Sequence, residues 1–288
     1  MKDLKTDLAT RDVIFPSGPN TLHGTLYEPH SAPRAALVLN SATGVPQGYY
    51  RAFATWLAQE RSIACLTYDY SGFERSAAPH PKASKATMAD WALVDQPAAR
   101  TEMRRLLPGV PLWVLGHSVG AMLMPLQDGL EDVQNMIGVA SGLVHHSDHP
   151  WPYQALARSF WFGHVPVMVK LLGYLPGKLV GFGADLPAGV YWQWRLWCTT
   201  KNAYLDEMGK TLPQADWSRS GAPVTLNAFT DDSTIPPKCT QRLAEVYGGS
   251  DVSVRIIDPV EHGLQQVGHL GAFTRRNARL WPELVPTF

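Results

Sequence analysis

Short apolar runs alternate along this chain with stretches whose apolar residues recur at helical spacing. Residues 34–39 and 63–68 are almost unbroken apolar runs, the pattern of strands covered on both faces. Residues 111–115, 133–140, 223–229 and 252–257 read as further strands. Residues 21–27 alternate small or polar with apolar positions, as an antiparallel edge strand does. Tyr49, Phe53, Trp56 and Leu57 mark a helix between Gln47 and Glu60. Another begins at Thr87, which with Asp90 has capping-box spacing, and runs through Trp91, Val94, Ala98 and Met103 to Leu107. Pro97 inside it predicts a kink or a break. Residues 121–126 read as the opening of a buried helix. Pro236 and Pro237 start a further one that Gly248 stops, and a final helix runs to about Trp281.

Strands and helices in this alternation predict an α/β fold, a mainly parallel central sheet flanked by helices, with ligands bound at the carboxyl ends of the strands. The rhythm lapses over residues 143–220, which hold no clear buried strand but six of the ten tryptophans: Trp151, Trp161, Trp192, Trp194, Trp197 and Trp217. Helical fragments such as 167–172 lie among them. A helical, aromatic-rich insertion there would sit over the sheet as a cap, leaving residues 1–142 and 221–288 as the core domain.

Length and charge narrow the field. At 288 residues the chain suffices for one large α/β domain with an insertion, or two modest ones. Twenty-five basic residues balance 25 acidic ones, so no bulk field recruits nucleic acid or an anionic membrane. Cys65, Cys198 and Cys239 are odd in number and far apart, which fits packing roles and a reducing, cytoplasmic setting. The first seven residues lack the apolar core of a signal peptide, and residues 160–182 are too interrupted to span a membrane.

The candidate chemistry centres on Gly116-His117-Ser118-Val119-Gly120, a Gly-x-Ser-x-Gly sequence between a strand and a helix. That context describes a nucleophile elbow, a turn too sharp for side chains at its flanking glycines. Ser118 is the candidate nucleophile, and the Val119 N–H is placed to face a developing oxyanion. A serine needs a base, and the base an orienting acid. Asp231 and Asp232 follow the strand at 223–229; Asp232 fits better, standing on the turn before a proline-started helix, with Asp231 the alternative. His269, between glycines after the last strand, is the preferred base and His262 the alternative.

These pieces resemble the α/β-hydrolase superfamily over nearly the whole chain, and within it a bacterial group of predicted α/β hydrolases. The matching residues are 42–47 followed by Tyr50, residues 67–70, 116–120 and 185–187, Trp194 and Trp197, and residues 267–271. The resemblance implies an α/β-hydrolase fold with a helical cap between the sixth and seventh strands, and Ser118, Asp232 and His269 as the triad. It implies a second oxyanion donor at the Ala42 N–H, with Thr43 the alternative. Two positions depart from it: Asn40-Ser41 replaces the usual His-Gly pair, and residues 71–76 replace a turn that often starts with Arg.

The expected function is a serine hydrolase acting on a small carboxylic ester with an apolar acyl or alkyl group, without cofactor or metal. Ser118 argues against dehalogenase and epoxide hydrolase chemistry, which use a carboxylate nucleophile in relatives. Aminopeptidase, amidase and acyltransferase share the acyl-enzyme and stand as alternatives, with Asp185, Asp206 and Glu207 available to grip a substrate amine. A non-catalytic binding module is the second alternative. His145, His146, Asp148 and His149 could form a metal site but fit a polar hinge loop as well. His117 and Asp69 read as packing and turn residues, and Gly181-Phe182-Gly183 lacks what a phosphate loop needs.

Overall fold

The unbroken apolar runs become the middle of an eight-stranded sheet in a computed structural model of the chain, which describes residues 9–77, 79–248 and 251–286. The strands are β1 (Ala9–Ser17), β2 (Asn20–Glu28), β3 (Ala35–Asn40), β4 (Ile63–Tyr68), β5 (Leu112–His117), β6 (Val133–Val139), β9 (Val224–Phe229) and β10 (Val252–Ile257). A two-stranded ribbon, β7 (Tyr174–Leu175) and β8 (Leu186–Pro187), stands apart. The large sheet has the order β1-β2-β4-β3-β5-β6-β9-β10. β1–β2 and β2–β4 pair antiparallel and every other pair is parallel. Every residue of β3, β4 and β5 is buried, as continuous apolar strands between helix layers must be.

Side chains alternate between the two faces. Leu37, Leu39, Cys65, Trp113 and Ile137 pack with Phe53 and Leu57 of α1 (Arg51–Arg61) and with Phe273 and Trp281 near the C-terminus. Ala36, Val38, Leu66, Val114 and Met136 face Trp91 and Met103 and, from α8 (Pro237–Tyr247), Leu243 and Tyr247. All three cysteines are free and buried. Burial raises the Cys65 thiol and pushes those of Cys198 and Cys239 up to about 12, so they pack rather than react.

Four local expectations need correction. β2 is antiparallel but not an edge, because β1 covers it; Val13 and Phe15 of β1 are buried in alternation with exposed Asp12 and Ile14, a signal diluted by charge. The stretch from Thr87 forms α2 (Met88–Asp90), a π-helical turn (Trp91–Asp95) and α3 (Gln96–Leu106) in succession. The capping box closes as expected, and the wider turn absorbs Pro97, which has no N–H to give. The helix after the elbow, α4 (Val119–Met122), is a single turn, followed by a 3-10 turn containing Pro125. The C-terminal helix is replaced by 3-10 turns at Gly271–Phe273 and Arg275–Leu280 and a last short α9 (Trp281–Leu284).

Between β6 and β9, the sixth and seventh strands of the large sheet, lie α5 (Tyr153–Phe162), α6 (Val165–Leu172) and α7 (Ala188–Thr199). Phe160, Trp161, Phe182, Tyr191 and Trp194 make edge-on and tilted ring contacts there, with centroids 4.6–6.0 Å apart. No helix among the described residues is long and apolar enough to cross a membrane. The first seven residues, read above for a leader, lie outside the described residues.

Candidate active site

Ser118 follows β5 directly, at φ 55° and ψ −117°, a conformation that residues with a side chain rarely adopt. The turn is tight enough to explain both glycines. A Cβ on Gly116 would fall 2.3 Å from the Gly120 backbone, and one on Gly120 would fall 2.3 Å from the Asn40 carbonyl. The strained backbone is held from outside the turn. Ser118 N–H donates to the Val139 carbonyl (3.0 Å), and Ser141 Oγ donates to the Ser118 carbonyl (2.6 Å). The Ser118 hydroxyl itself is partly accessible and makes no hydrogen bond among the described residues.

The two aspartates after β9 do different things. Asp232, buried, accepts Thr234 N–H (2.7 Å) and Ile235 N–H (2.9 Å) on one carboxylate oxygen, and its other oxygen stands 2.9 Å from His269 Nδ1. Asp231 points to the loop that carries the histidine, accepting Val267 N–H (2.8 Å) and Gly268 N–H (3.0 Å). His262 lies in the 3-10 turn Pro259–His262 after β10, and its ring meets neither aspartate.

The loop holding His269 is pinned at four successive residues. Beyond Asp231 on residues 267 and 268, the His117 ring lies 2.9 Å from the His269 carbonyl, and the Tyr49 hydroxyl donates to the Leu270 carbonyl. The rings of His117 and His269 are 5.3 Å apart, so His269 stands beside the Gly116–Gly120 turn. His117 is fully buried, and burial, with the nearby His269, pushes its imidazole down to about 3, against the opposing pull of the carbonyl bond. It is therefore neutral. Nε2–H must donate to the His269 carbonyl, which leaves Nδ1 to accept from the Tyr50 hydroxyl (2.8 Å).

The Tyr50 oxygen in turn accepts the Ala42 N–H (2.9 Å). The donor expected at Ala42 is thus already engaged. Among the described residues the Thr43 and Val119 amides have no acceptor. Val119 is the first residue of α4, where an N–H has no intrahelical partner. Over this loop the Phe182 ring lies so close that a Cβ on Gly44 would come within 2.3 Å of it.

Tyr49, Tyr50 and Asp231 were not foreseen as anchors of the site. Tyr49 reads as a helical core residue, yet it sits with Tyr50 in the 3-10 turn Gln47–Tyr50 ahead of α1. Asp69 is buried, with its carboxyl raised by that burial, and accepts Gln47 N–H (2.8 Å) and Gln47 Nε2 (3.1 Å), holding the same turn.

Four of the remaining candidates are occupied elsewhere, while the buried His146 Nδ1 has no hydrogen-bond partner among the described residues. Asp148 pairs with Arg242 (2.5 Å) and Lys238 (3.1 Å), tying the start of the insertion to α8. His149 Nδ1 donates to the Ser233 carbonyl (3.1 Å). No group of three metal-ligating side chains is assembled among the described residues. Glu207 accepts Trp197 Nε1–H (2.5 Å), and Asp206 accepts Asn202 Nδ2 (2.9 Å) in an exposed turn.

The family model of the alpha/beta hydrolase family matches residues 22–281. No curated protein sequence matches the chain. Among solved structures, a soluble variant of monoglyceride lipase from Saccharomyces cerevisiae superposes with a TM-score of 0.64 at 12% identity, over 98% of this chain and 95% of that one. A carboxyl esterase from Bacillus coagulans gives 0.57 at 13% over 87% and 90%. An esterase from Pyrococcus furiosus gives 0.55 at 13% over 95% and 92%. Likeness at such identity is a likeness of fold.

Proposed function

The chain belongs to the alpha/beta hydrolase family, and from that premise we propose that it is a serine hydrolase that cleaves carboxylic esters through an acyl-enzyme. The observation carrying the proposal is the 2.9 Å contact between the buried Asp232 and a half-buried His269, whose loop is bound to the residue next to a strained Ser118. In this reading His269 Nε2 removes the Ser118 proton as Oγ attacks the ester carbonyl. Asp232 fixes the tautomer and offsets the charge that forms on the ring. The tetrahedral oxyanion is met by the Val119 N–H and, since Tyr50 holds the Ala42 amide, by the Thr43 N–H. His269 returns the proton to the leaving alcohol. It then takes a proton from water, whose oxygen attacks the acyl carbon, and the acid departs with Ser118 restored. The bond between Ser118 and His269 forms in the substrate complex, as catalytic hydrogen bonds often tighten only there.

Residues 143–220 act as a cap over the core formed by the rest of the chain, and Phe160, Phe182 and Trp194 give it an apolar lining suited to an acyl or alkyl chain. The engagement of Asp206 with Asn202 and of Glu207 with Trp197 ties up two of the three carboxylates that could grip a substrate amine, which counts against a peptidase. Free, buried thiols fit a reducing, cytoplasmic setting. The test is incubation with a fluorophosphonate probe and with p-nitrophenyl esters of graded acyl length. Labelling of Ser118 and preferential turnover of apolar esters are expected. A folded protein that neither labels nor turns over any ester would refute the proposal in favour of a binding module.

A further inference from the structure

Thirteen large apolar side chains are well exposed among the described residues, and eight of them lie between residues 151 and 196. Their register is regular. Val167 and Leu171 are one turn apart on α6, opposite buried Val165 and Val169. Trp192 and Leu196 are one turn apart on α7, opposite buried Val190 and Trp197. Leu171 is 77% exposed and Trp151, ahead of α5, is 79% exposed. These helices therefore have two apolar sides: an inner one within the core and an outer one that none of the described residues covers. A soluble surface rarely leaves such a patch without a use.

Charge identifies the occupant. Residues 151–201 carry Arg158, Lys170, Lys178, Arg195 and Lys201 against Asp185 alone, in a chain whose charges balance overall. None of the five makes an ion pair among the described residues. Lys82 adds a further cation where it lies along Gly173 at the end of α6. The neutrality of the whole chain thus conceals a local excess of positive charge. Leucine, tryptophan and basic side chains together are the composition of helices that lie in a lipid interface. A second copy docked on the same face would set like charges against each other. We propose that the outer face of α5, α6 and α7 docks on an anionic lipid surface, peripherally and without spanning it. Its use, taking up lipid-dissolved esters at the entrance to the site, rests on the esterase reading; the docking itself does not.

The test is cosedimentation with vesicles of phosphatidylcholine, alone and mixed with phosphatidylglycerol, at low and high salt. The protein is expected to bind the mixed vesicles, to bind the neutral ones less, and to be released by salt. Lys170→Gln should lower the partition coefficient about fivefold. Leu171→Glu should lower it by about tenfold or more, with an unchanged melting temperature. Ser118→Ala should bind like the native protein, which separates failure of docking from failure of catalysis. Absence of binding to mixed vesicles, or equal binding by folded Leu171→Glu, overturns the proposal. So does a dimer in sedimentation velocity that Leu171→Glu dissociates, since the occupant would then be a second copy.

Discussion

Adjacent aspartates with separate duties offer the sharpest test of the site. In Asp232→Asn the amide oxygen can still accept Thr234 and Ile235 N–H, bonds that span 2.7 and 2.9 Å in the native protein. The amide NH2 is then left facing His269 Nδ1. To accept from it, the imidazole must carry its proton on Nε2, and an Nε2–H cannot take the serine proton. The fold survives and the chemistry does not; kcat should fall by about 10⁴. Asp231→Asn acts on a different quantity. Its amide oxygen, standing where Oδ2 stands, can keep both Val267 N–H (2.8 Å) and Gly268 N–H (3.0 Å), and the amide nitrogen replaces only Oδ1, the second acceptor of Gly268 N–H. The charge and one arm of a forked bond are lost, about 1 kcal/mol of loop stability, and less where water reaches this part-buried side chain. The His269 loop keeps its bonds to His117 and Tyr49, so kcat should drop by no more than about tenfold. Steady-state p-nitrophenyl butyrate hydrolysis, melting temperature and fluorophosphonate labelling rate read the two effects separately. Were Asp231→Asn the more damaging to kcat at equal folding, the assignment of Asp232 as the orienting acid would be wrong.

Three further outcomes follow from the same geometry. Ser118→Ala should abolish probe labelling without unfolding the chain, while Ser118→Gly should also relieve the positive φ and raise stability by about 1 kcal/mol, visible as a small rise in melting temperature. Phe182→Ala opens the space over Gly44 and should shift the preferred p-nitrophenyl ester to longer acyl chains; an unchanged profile would remove Phe182 from the pocket. Asp95 is almost fully buried, and desolvation pushes its carboxyl up to about 6 from 3.8 despite bonds from Ser17 and Ser71. Because the folded pKa is the higher one, its contribution is fully present below about pH 4 and is lost as pH rises toward 6, by about 3 kcal/mol. Melting curves across that window should show a steeper loss for the native protein than for Asp95→Asn, and parallel curves would refute the assignment.

The elements legible in the sequence were those specified by local pattern. Continuous apolar runs announced β3 and β4, and the elbow announced itself through two glycines that the structure requires for steric reasons. Asp232, on the turn before a proline-started helix, has a carboxylate oxygen 2.9 Å from His269 Nδ1. What stayed hidden was decided by contacts between distant parts of the chain. β1 carries Arg11 and Asp12 and becomes recognisable as a strand only when β2 lies beside it. The C-terminal segment had helical apolar spacing but folds as successive tight turns, with Asn277 out of helical geometry and donating to the Gln266 and Gly271 carbonyls. Tyr50 holds the Ala42 amide through a hydroxyl whose partner no spacing rule could identify.

The departure from the family at Asn40 has a physical explanation that joins several of these features. Asn40 Oδ1 accepts the Tyr68 hydroxyl (2.7 Å), and its Nδ2 donates to the Gly120 carbonyl and to Gln96 Oε1 (3.2 Å each). Gln96 donates to the Tyr70 hydroxyl (3.2 Å), which donates to the Ser41 carbonyl (3.0 Å), and Gln127 Nε2 donates to Gln96 Oε1 (2.7 Å). Arg100, one turn beyond Gln96 on α3, closes the system on Gln127 and the Asp128 carbonyl. These side chains point inward because the π-helical turn at Trp91–Asp95 adds a residue just before them and resets the phase of α3. Burying so much polarity stabilises little: desolvation brings even the Arg100 guanidinium down to about 10. Its value lies in position. The Gly120 backbone approaches Asn40 so closely that a single methyl group would not fit between them, and the amide of Asn40 grips the turn at that point. The loop of residues 41–44 is thereby fixed relative to Ser118 by bonds with defined directions, which apolar packing alone would leave free to slide.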